Sequence, residues 1–405
     1  MTRYTSNVLR RELIALGLLV GVTVVAYLQS SPHPTVRVAI RVDCTHPETC
    51  ALAEAVALDV WSEERGPGLP LDVVVTDDAL DRLVAAGIDV HVLVPDIDAA
   101  ARDEQARIAT SQPGDWFAEY HDYRAIGEHL RELAEFAPHR AALQPIGSSI
   151  DSRTLWALRI GHGQTRMLIN GTQHAREWIA AMVSTCVADR LVREYDHDPA
   201  IRDFVDHTEL WVVPVVNPDG YQYSWSTDRY WRKNRRDRHG VDLNRNFAVA
   251  FGGAGSSGNQ RSDIYRGEYA FSEPETAALR DLAKRVGFAL HVDFHAYGQL
   301  ILHPWCHTPS PAKDRDRFAA VGDRMASAMF AQHETQYRLM AGVELYPASG
   351  TMTDWMYGET GAAGYVIELR PRRGSGFVLP PEEIRPTCDE GLAAVLALRA
   401  GHTQQ

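Results

Sequence analysis

The sequence predicts an α/β protein in two parts. A small α+β open sandwich comes first, then one large domain with a mixed, mostly parallel twisted sheet flanked by helices. Three observations carry this expectation. Downstream of Trp116, short continuous apolar runs alternate with longer helical patterns, the rhythm of doubly buried strands between helices. Upstream, residues 35–98 hold short segments of period two. Between them lies a polar stretch ending in Pro113-Gly114-Asp115. The 405 residues suffice for two domains and a leader, and 45% hydrophobic against 23% charged residues suits a sizeable core. A net charge of −12 argues against nucleic acid as a partner.

Residues 1–34 read as a signal peptide or a signal anchor, because Arg3, Arg10 and Arg11 precede an apolar run over residues 13–28. That run falls short of the roughly 20 residues that span a bilayer. Secretion and a membrane tether both stay open, and the chain is expected outside the cytoplasm. In residues 35–98, positions 36–42 alternate as a half-buried strand, and 71–75 form another. Thr76 caps a helix with Asp77 and Asp78 in its first turn and Gly87 at its end; 88–94 alternate again. The expected order is strand, helix, strand, strand, helix, strand, an antiparallel sheet with helices on one face. No catalytic constellation sits in this domain, which reads as structural or inhibitory. Residues 99–115 are expected to be a linker, with Arg102 and Arg107 open to proteolysis.

In residues 116–405, the apolar runs 166–170, 210–216, 289–294 and 365–369 are predicted strands, and 177–195 and 273–285 predicted helices. Cys44 and Cys50 are near enough to bridge in an oxidising compartment; Cys186, in an apolar helical stretch, reads as packing. The absence of CxxC spacing disfavours a thiolate metal site.

The sharpest local feature is Asn170-Gly171-Thr172-Gln173-His174-Ala175-Arg176-Glu177-Trp178. A strand ends here and a helix begins, so His174 and Glu177, three apart, can face one point with ligand atoms suited to Zn²⁺. Two ligands are a weak signal, and a catalytic zinc takes three protein ligands. His295 ends an apolar strand, where open α/β sheets place their ligand sites. His291 shares its strand face and is a rival lying deeper in the sheet. Glu368, closing a Tyr-Val-Ile strand, is either functional or paired with Arg370 or Arg372.

With these residues assembled, the chain resembles the zinc carboxypeptidases related to pancreatic carboxypeptidase A. The resemblance spans nearly all of the second part and, more faintly, the first. It rests on seven segments in order: GTQHAREW (171–178), PVVNPDGY (214–221), YWRKNRR (230–236), VDLNRNF (241–247), DFHAYGQLILHPW (293–305), LYPASGTMTDW (345–355) and YVIELR (365–370). It implies one Zn²⁺ held by His174, Glu177 and His295, with Asp242 orienting the first histidine. It further implies Glu368 as general base and Arg235 as the cation on the scissile carbonyl oxygen. Lys233 and Arg236 are left as solvated surface. Asn244 and Arg245 match the pair that grips a terminal carboxylate, and Tyr346 the tyrosine that closes over it. Arg176, Arg232 and Tyr297 resemble secondary-subsite residues, and Thr353 corresponds to the position at the base of the family's specificity pocket.

Thr353 is neither the large aliphatic of the A type nor the aspartate of the B type. With Ala341, Leu345, Ala348 and Val366 on the walls, apolar or aromatic terminal residues are expected. Residues 35–98 resemble the family's propeptide, expected to cover the cleft until residues 99–115 are cut. The implied activity is hydrolysis of the last peptide bond of a peptide or protein substrate by a monomer. Peptidoglycan- or glutamate-directed peptidases share the zinc arrangement, and an inactive binding relative would keep the fold. Asn244, Arg245, Tyr346 and Glu368 together favour the carboxypeptidase.

Overall fold

A computed structural model describes residues 35–403 apart from 45, 63–67, 111–113 and 375. The expected leader, signal or anchor, lies outside the described residues. Among the described residues no helix is long and apolar enough to cross a membrane.

The first domain follows the expected order: β1 (Arg37–Val42), a helix Pro47–Val56, β2 (Asp59–Val60), β3 (Leu71–Thr76), a helix Asp77–Ala85 and β4 (Val90–Val94). The strands lie in the order β2-β3-β1-β4, all antiparallel. Thr76 caps its helix as its sequence position suggests, its hydroxyl accepting from the Ala79 amide at 3.1 Å. Strand periodicity divides the sheet between two cores. Val38, Ile40, Val73 and Val75 pack under this domain's own helices, while Ala39 and Val74 face the second domain and join its core.

Residues 99–115 are not an irregular linker. Ile97–Thr110 forms a helix, begun by Asp96, whose carboxylate accepts from the Ala99 amide at 2.8 Å. Ile97 and Glu104, seven residues apart and hence on one face, are buried against the second domain. The polar composition hid this, because the second buried position is a charged residue.

The second domain carries an eight-stranded sheet in the order β11-β10-β12-β9-β7-β8-β6-β5. These strands are β5 (Ala141–Ser148), β6 (Thr154–Ile160), β7 (Thr165–Gly171), β8 (Thr208–Val213), β9 (Leu290–Ala296), β10 (Leu300–His303), β11 (Arg338–Ala341) and β12 (Ala363–Leu369). The centre is parallel: β8, β7, β9 and β12 run together, and antiparallel strands close both sides. Val292 and Phe294 of β9 and Met167 and Ile169 of β7 are fully buried, as strands covered on both faces require.

Helix Trp178–Arg193 lies buried along most of its length, which its Ala- and Val-rich sequence permits. Cys186, expected as simple packing, is instead disulfide-bonded to Cys388 on helix Ile384–Thr403, with Cα atoms 6.0 Å apart. A partner 202 positions away left no local signal. The expected Cys44–Cys50 bridge is present, and Cys306 is a buried free thiol.

Candidate active site

Three adjacent parallel strands deliver the chemistry to one sheet edge. β7 ends at Gly171, and the turn that follows carries His174 and Glu177 before the buried helix begins at Trp178. His295 lies near the end of β9, and Glu368 near the end of β12 directly beside it in register. This is the carboxyl end of the parallel strands, where such sheets bind ligands.

His174, Glu177 and His295 offer ligand atoms that all lie within 4.8 Å of one another. His174 Nδ1 is 2.8 Å from Glu177 Oε1, and His295 Nδ1 is 3.0 Å from Glu177 Oε2. The two Nδ1 atoms stand 3.1 Å apart. Two imidazole nitrogens and a carboxylate converging in a buried site are a donor set for one divalent cation, and the N, N, O chemistry fits zinc. Burial works against the charge on Glu177, yet His174 and His295 outweigh it and hold the carboxyl well below its usual range. Burial likewise lowers the proton affinity of His295, but Asp293 and Glu177 reverse this and raise it well above the ordinary imidazole value. His291, the rival ligand, is directed elsewhere: its Nε2 meets Asn170 Oδ1 at 2.7 Å, and burial lowers it to about 4.

Asp242 stands where the sequence suggested, its Oδ1 3.1 Å from His174 Nε2. Arg232 Nη2 donates to Asp242 Oδ2 at 3.0 Å. Burial opposes the negative charge of Asp242, but Arg232, Arg245 and His174 hold its carboxyl well below the usual range.

Arg235 is not brought to this centre. Its guanidinium lies over the rings of Tyr223 and Trp231, at 3.6 and 4.4 Å from their centroids. The backbone explains the difference. Ala175 N donates to Arg232 O at 2.8 Å, tying Arg232 to the ligand-bearing turn. Asn234 N bonds Val241 O at 3.0 Å and starts the chain's return, which turns Arg235 away. Lys233 and Arg236, expected as solvated, are engaged as well. Lys233 Nζ donates to Gln260 O and Ser262 O at 3.1 and 2.8 Å, and Arg236 Nε to Glu273 at 3.1 Å.

Asn244 and Arg245 are buried beside the cluster. Asn244 Nδ2 is 3.4 Å from His295 Nε2, and its Oδ1 accepts from Met352 N at 2.9 Å. Arg245 is fixed by donations to Gly255 O and Asn244 O at 2.7 and 2.8 Å. The half-buried Tyr346 ring lies 5.9 Å from the Arg245 guanidinium. Tyr346 packs on a buried apolar cluster of Leu300, Leu302, Leu345 and Val366. Thr353 is fully buried.

The first domain reaches this region with residues that carried no functional signal in the sequence. Asp59 pairs with Arg176 and accepts from Trp61 Nε1 at 2.9 Å. Trp61, fully buried, stacks on Tyr230 at 5.1 Å and meets Phe377 edge-on at 5.6 Å. Phe377 in turn lies against Tyr297 and under the Arg176 guanidinium. Glu104 pairs with Arg229, both side chains being at most 2% exposed. Asp59, Arg37, Arg176, Arg232 and Tyr230 line one cavity between the domains.

The sequence and the fold are similar to those of known proteins. The signature of the zinc carboxypeptidases matches residues 126–394. Carboxypeptidase A4 of Mus musculus is 31% identical over 358 residues, covering 84% of this chain and 85% of the relative. Metallocarboxypeptidase A of Arthroderma otae is 32% identical over 365 residues, covering 84% and 86%. The crystal structure of thrombin activatable fibrinolysis inhibitor superposes with a TM-score of 0.84 at 28% identity, covering 90% of this chain and 98% of that one. Carboxypeptidase A from Helicoverpa armigera does so with 0.81 at 26%, covering 91% and 98%. With its His174–Glu177–His295 site and its mixed eight-stranded sheet, the chain belongs to the zinc carboxypeptidase family.

Proposed function

We propose that the protein removes single apolar or aromatic residues from the carboxyl terminus of peptides, and that its first domain keeps it latent until the chain is cut between the domains. The observation that carries the reading is the register of β12 on β9, which sets Glu368 beside His295 at the same sheet edge. His174, Glu177 and His295 would hold the zinc, which when bound would supply Lewis-acid activation of water and of the scissile carbonyl. Glu368 takes the proton from that water and returns it to the leaving amine.

Arg232 takes the part first assigned to Arg235. Asp242 fixes its guanidinium beside His174, so a preset cation meets the charge that develops on the carbonyl oxygen. Asn244 and Arg245 receive the terminal carboxylate, and Tyr346 closes over it. An internal bond brings no carboxylate to that place, so only the chain end is cut. Thr353 forms the base of the side-chain pocket, whose walls Ala341, Leu345, Ala348 and Val366 give no charge to offset the desolvation of a basic side chain. Arg176 and Tyr297 contact residues upstream of the bond, and in the intact chain Asp59 and Trp61 occupy that surface. The two disulfides suit an oxidising compartment outside the cytosol.

The test folds the full chain, cuts it with trypsin between the domains, and presents peptides that differ only in the last residue, with and without phenanthroline. Single-residue release, fastest for apolar or aromatic ends and stopped by the chelator, is expected. Preference for terminal Lys or Arg, or release of dipeptides, overturns the substrate assignment. Equal activity of cut and uncut chain overturns latency.

A further inference from the structure

Asp293 lies two residues before His295 on β9, and therefore on the same strand face. Its Oδ2 is 3.2 Å from His295 Nε2, the ring nitrogen remote from Glu177. The carboxylate is fully buried and held on both oxygens: Asn170 Nδ2 donates to Oδ1 and Gln173 Nε2 to Oδ2, each at 2.6 Å. Asn170 is the penultimate residue of β7, Gln173 precedes the ligand His174, and Asn170 Oδ1 is itself met by His291 Nε2 at 2.7 Å. A chain of side chains thus runs His291, Asn170, Asp293, His295 beneath the metal centre.

We propose that Asp293 is a positioning residue for the zinc ligand His295, a counterpart on β9 of what Asp242 does for His174. Coordination through Nδ1 requires the proton on Nε2. Two groups stand near that proton. Asn244 presents its Nδ2, a donor, at 3.4 Å, because its Oδ1 is engaged by Met352 N. Asp293 Oδ2 is the acceptor. It selects the tautomer that leaves Nδ1 free to ligate, fixes the plane of the ring, and raises the ring's basicity as a ligand. The donations from Asn170 and Gln173 stop the carboxylate from rotating away. The assignment rests on the metal centre alone and is independent of the substrate.

Asp293→Asn keeps the size and loses the charge. In the folded full chain it is expected to weaken zinc 10- to 100-fold in competition with a chromogenic chelator and to shift the visible bands of the Co²⁺-substituted protein. Asn244→Ala is expected to leave zinc affinity within about twofold, since a donor cannot hold the Nε2 proton. Zinc affinity of Asp293→Asn within about twofold of the parent overturns the proposal. Should that variant not fold, the parent decides: the zinc-loaded full chain, ¹⁵N-labelled at histidine, is expected to show two slowly exchanging ligand ring N–H protons, one on Asp242 and one on Asp293. A single such proton overturns the proposal.

Discussion

Replacing Glu104 by Gln removes one charge from a pair whose side chains are 2% and 1% exposed. Arg229 remains pinned by the second domain's own groups. It donates to Arg176 O and Phe377 O at 2.8 Å each, and its guanidinium lies 3.7 Å above the Trp178 ring. It cannot swing out to water, so with the first domain in place it becomes a buried, uncompensated cation. Breaking a buried pair in this way costs ~3–5 kcal/mol. Because Gln retains a hydrogen bond, the lower figure applies, and about 3 kcal/mol corresponds to roughly a 10²-fold rise in the open population. Glu104 lies on helix Ile97–Thr110, which follows the first domain, so in the intact chain the penalty falls on the docked position and vanishes once that helix leaves with the domain. The assay is turnover of a blocked dipeptide by intact full-length chain, verified uncut. A rise of about 10²-fold is expected, while the exposed pair Arg124–Glu128, broken by Arg124→Ala, changes leakage less than twofold. A normally folded Glu104→Gln protein with parental leakage would refute the argument that this pair holds the domains together.

Glu368→Gln is expected to lower turnover by at least 10²-fold while zinc content by metal analysis stays at one per chain. Arg232→Ala is expected to lower kcat/KM by 10²- to 10³-fold. Arg235→Ala, which removes a cation stacked on Tyr223 and Trp231, should lower Tm while changing kcat/KM less than threefold; the reverse ranking would restore the sequence-based assignment. Burial, with Glu273 and Asp219 nearby, pushes the Glu275 carboxyl from 4.5 up to about 8. Its folded form therefore binds a proton that the unfolded form releases. Stability from this group is complete below about pH 4.5 and is lost by pH 8, a fall on the order of 4 kcal/mol. Urea unfolding at pH 5 and pH 8 should show this fall, and Glu275→Gln should flatten it.

The parallel core was legible because doubly buried strands leave unbroken apolar runs, and residues 166–170, 289–294 and 365–369 each became a strand within two residues at either end. His174 and Glu177 were legible as a candidate pair from their spacing at a strand end, a weak signal alone, and His295 joined them through its own strand-end position and the resemblance to the carboxypeptidases. What failed was choice among like residues. Arg232 and Arg235 are chemically identical in the sequence, and what separates them is long-range: the bond from Ala175 N to Arg232 O, the Arg232–Asp242 pair, and the return of the chain at Asn234. Asp293 was invisible for a related reason, since a carboxylate inside an apolar run gains meaning only when β7 supplies Asn170 opposite it in register. Glu104 looked like surface because an ion pair buries a charge without marking it. The Cys186 bridge depends on helix packing that no local pattern encodes.

The pairing of β7, β9 and β12 has a consequence for how such a chain can change over generations. The distance between Glu368 and His295 is measured by hydrogen-bond rungs rather than by loops. Inserting or deleting one residue within β9 would turn Phe294 or Ala296 toward the cation and point the imidazole into the opposite layer. Hairpin tips and surface connections can lengthen freely, whereas inside these three strands natural variants are confined to substitutions.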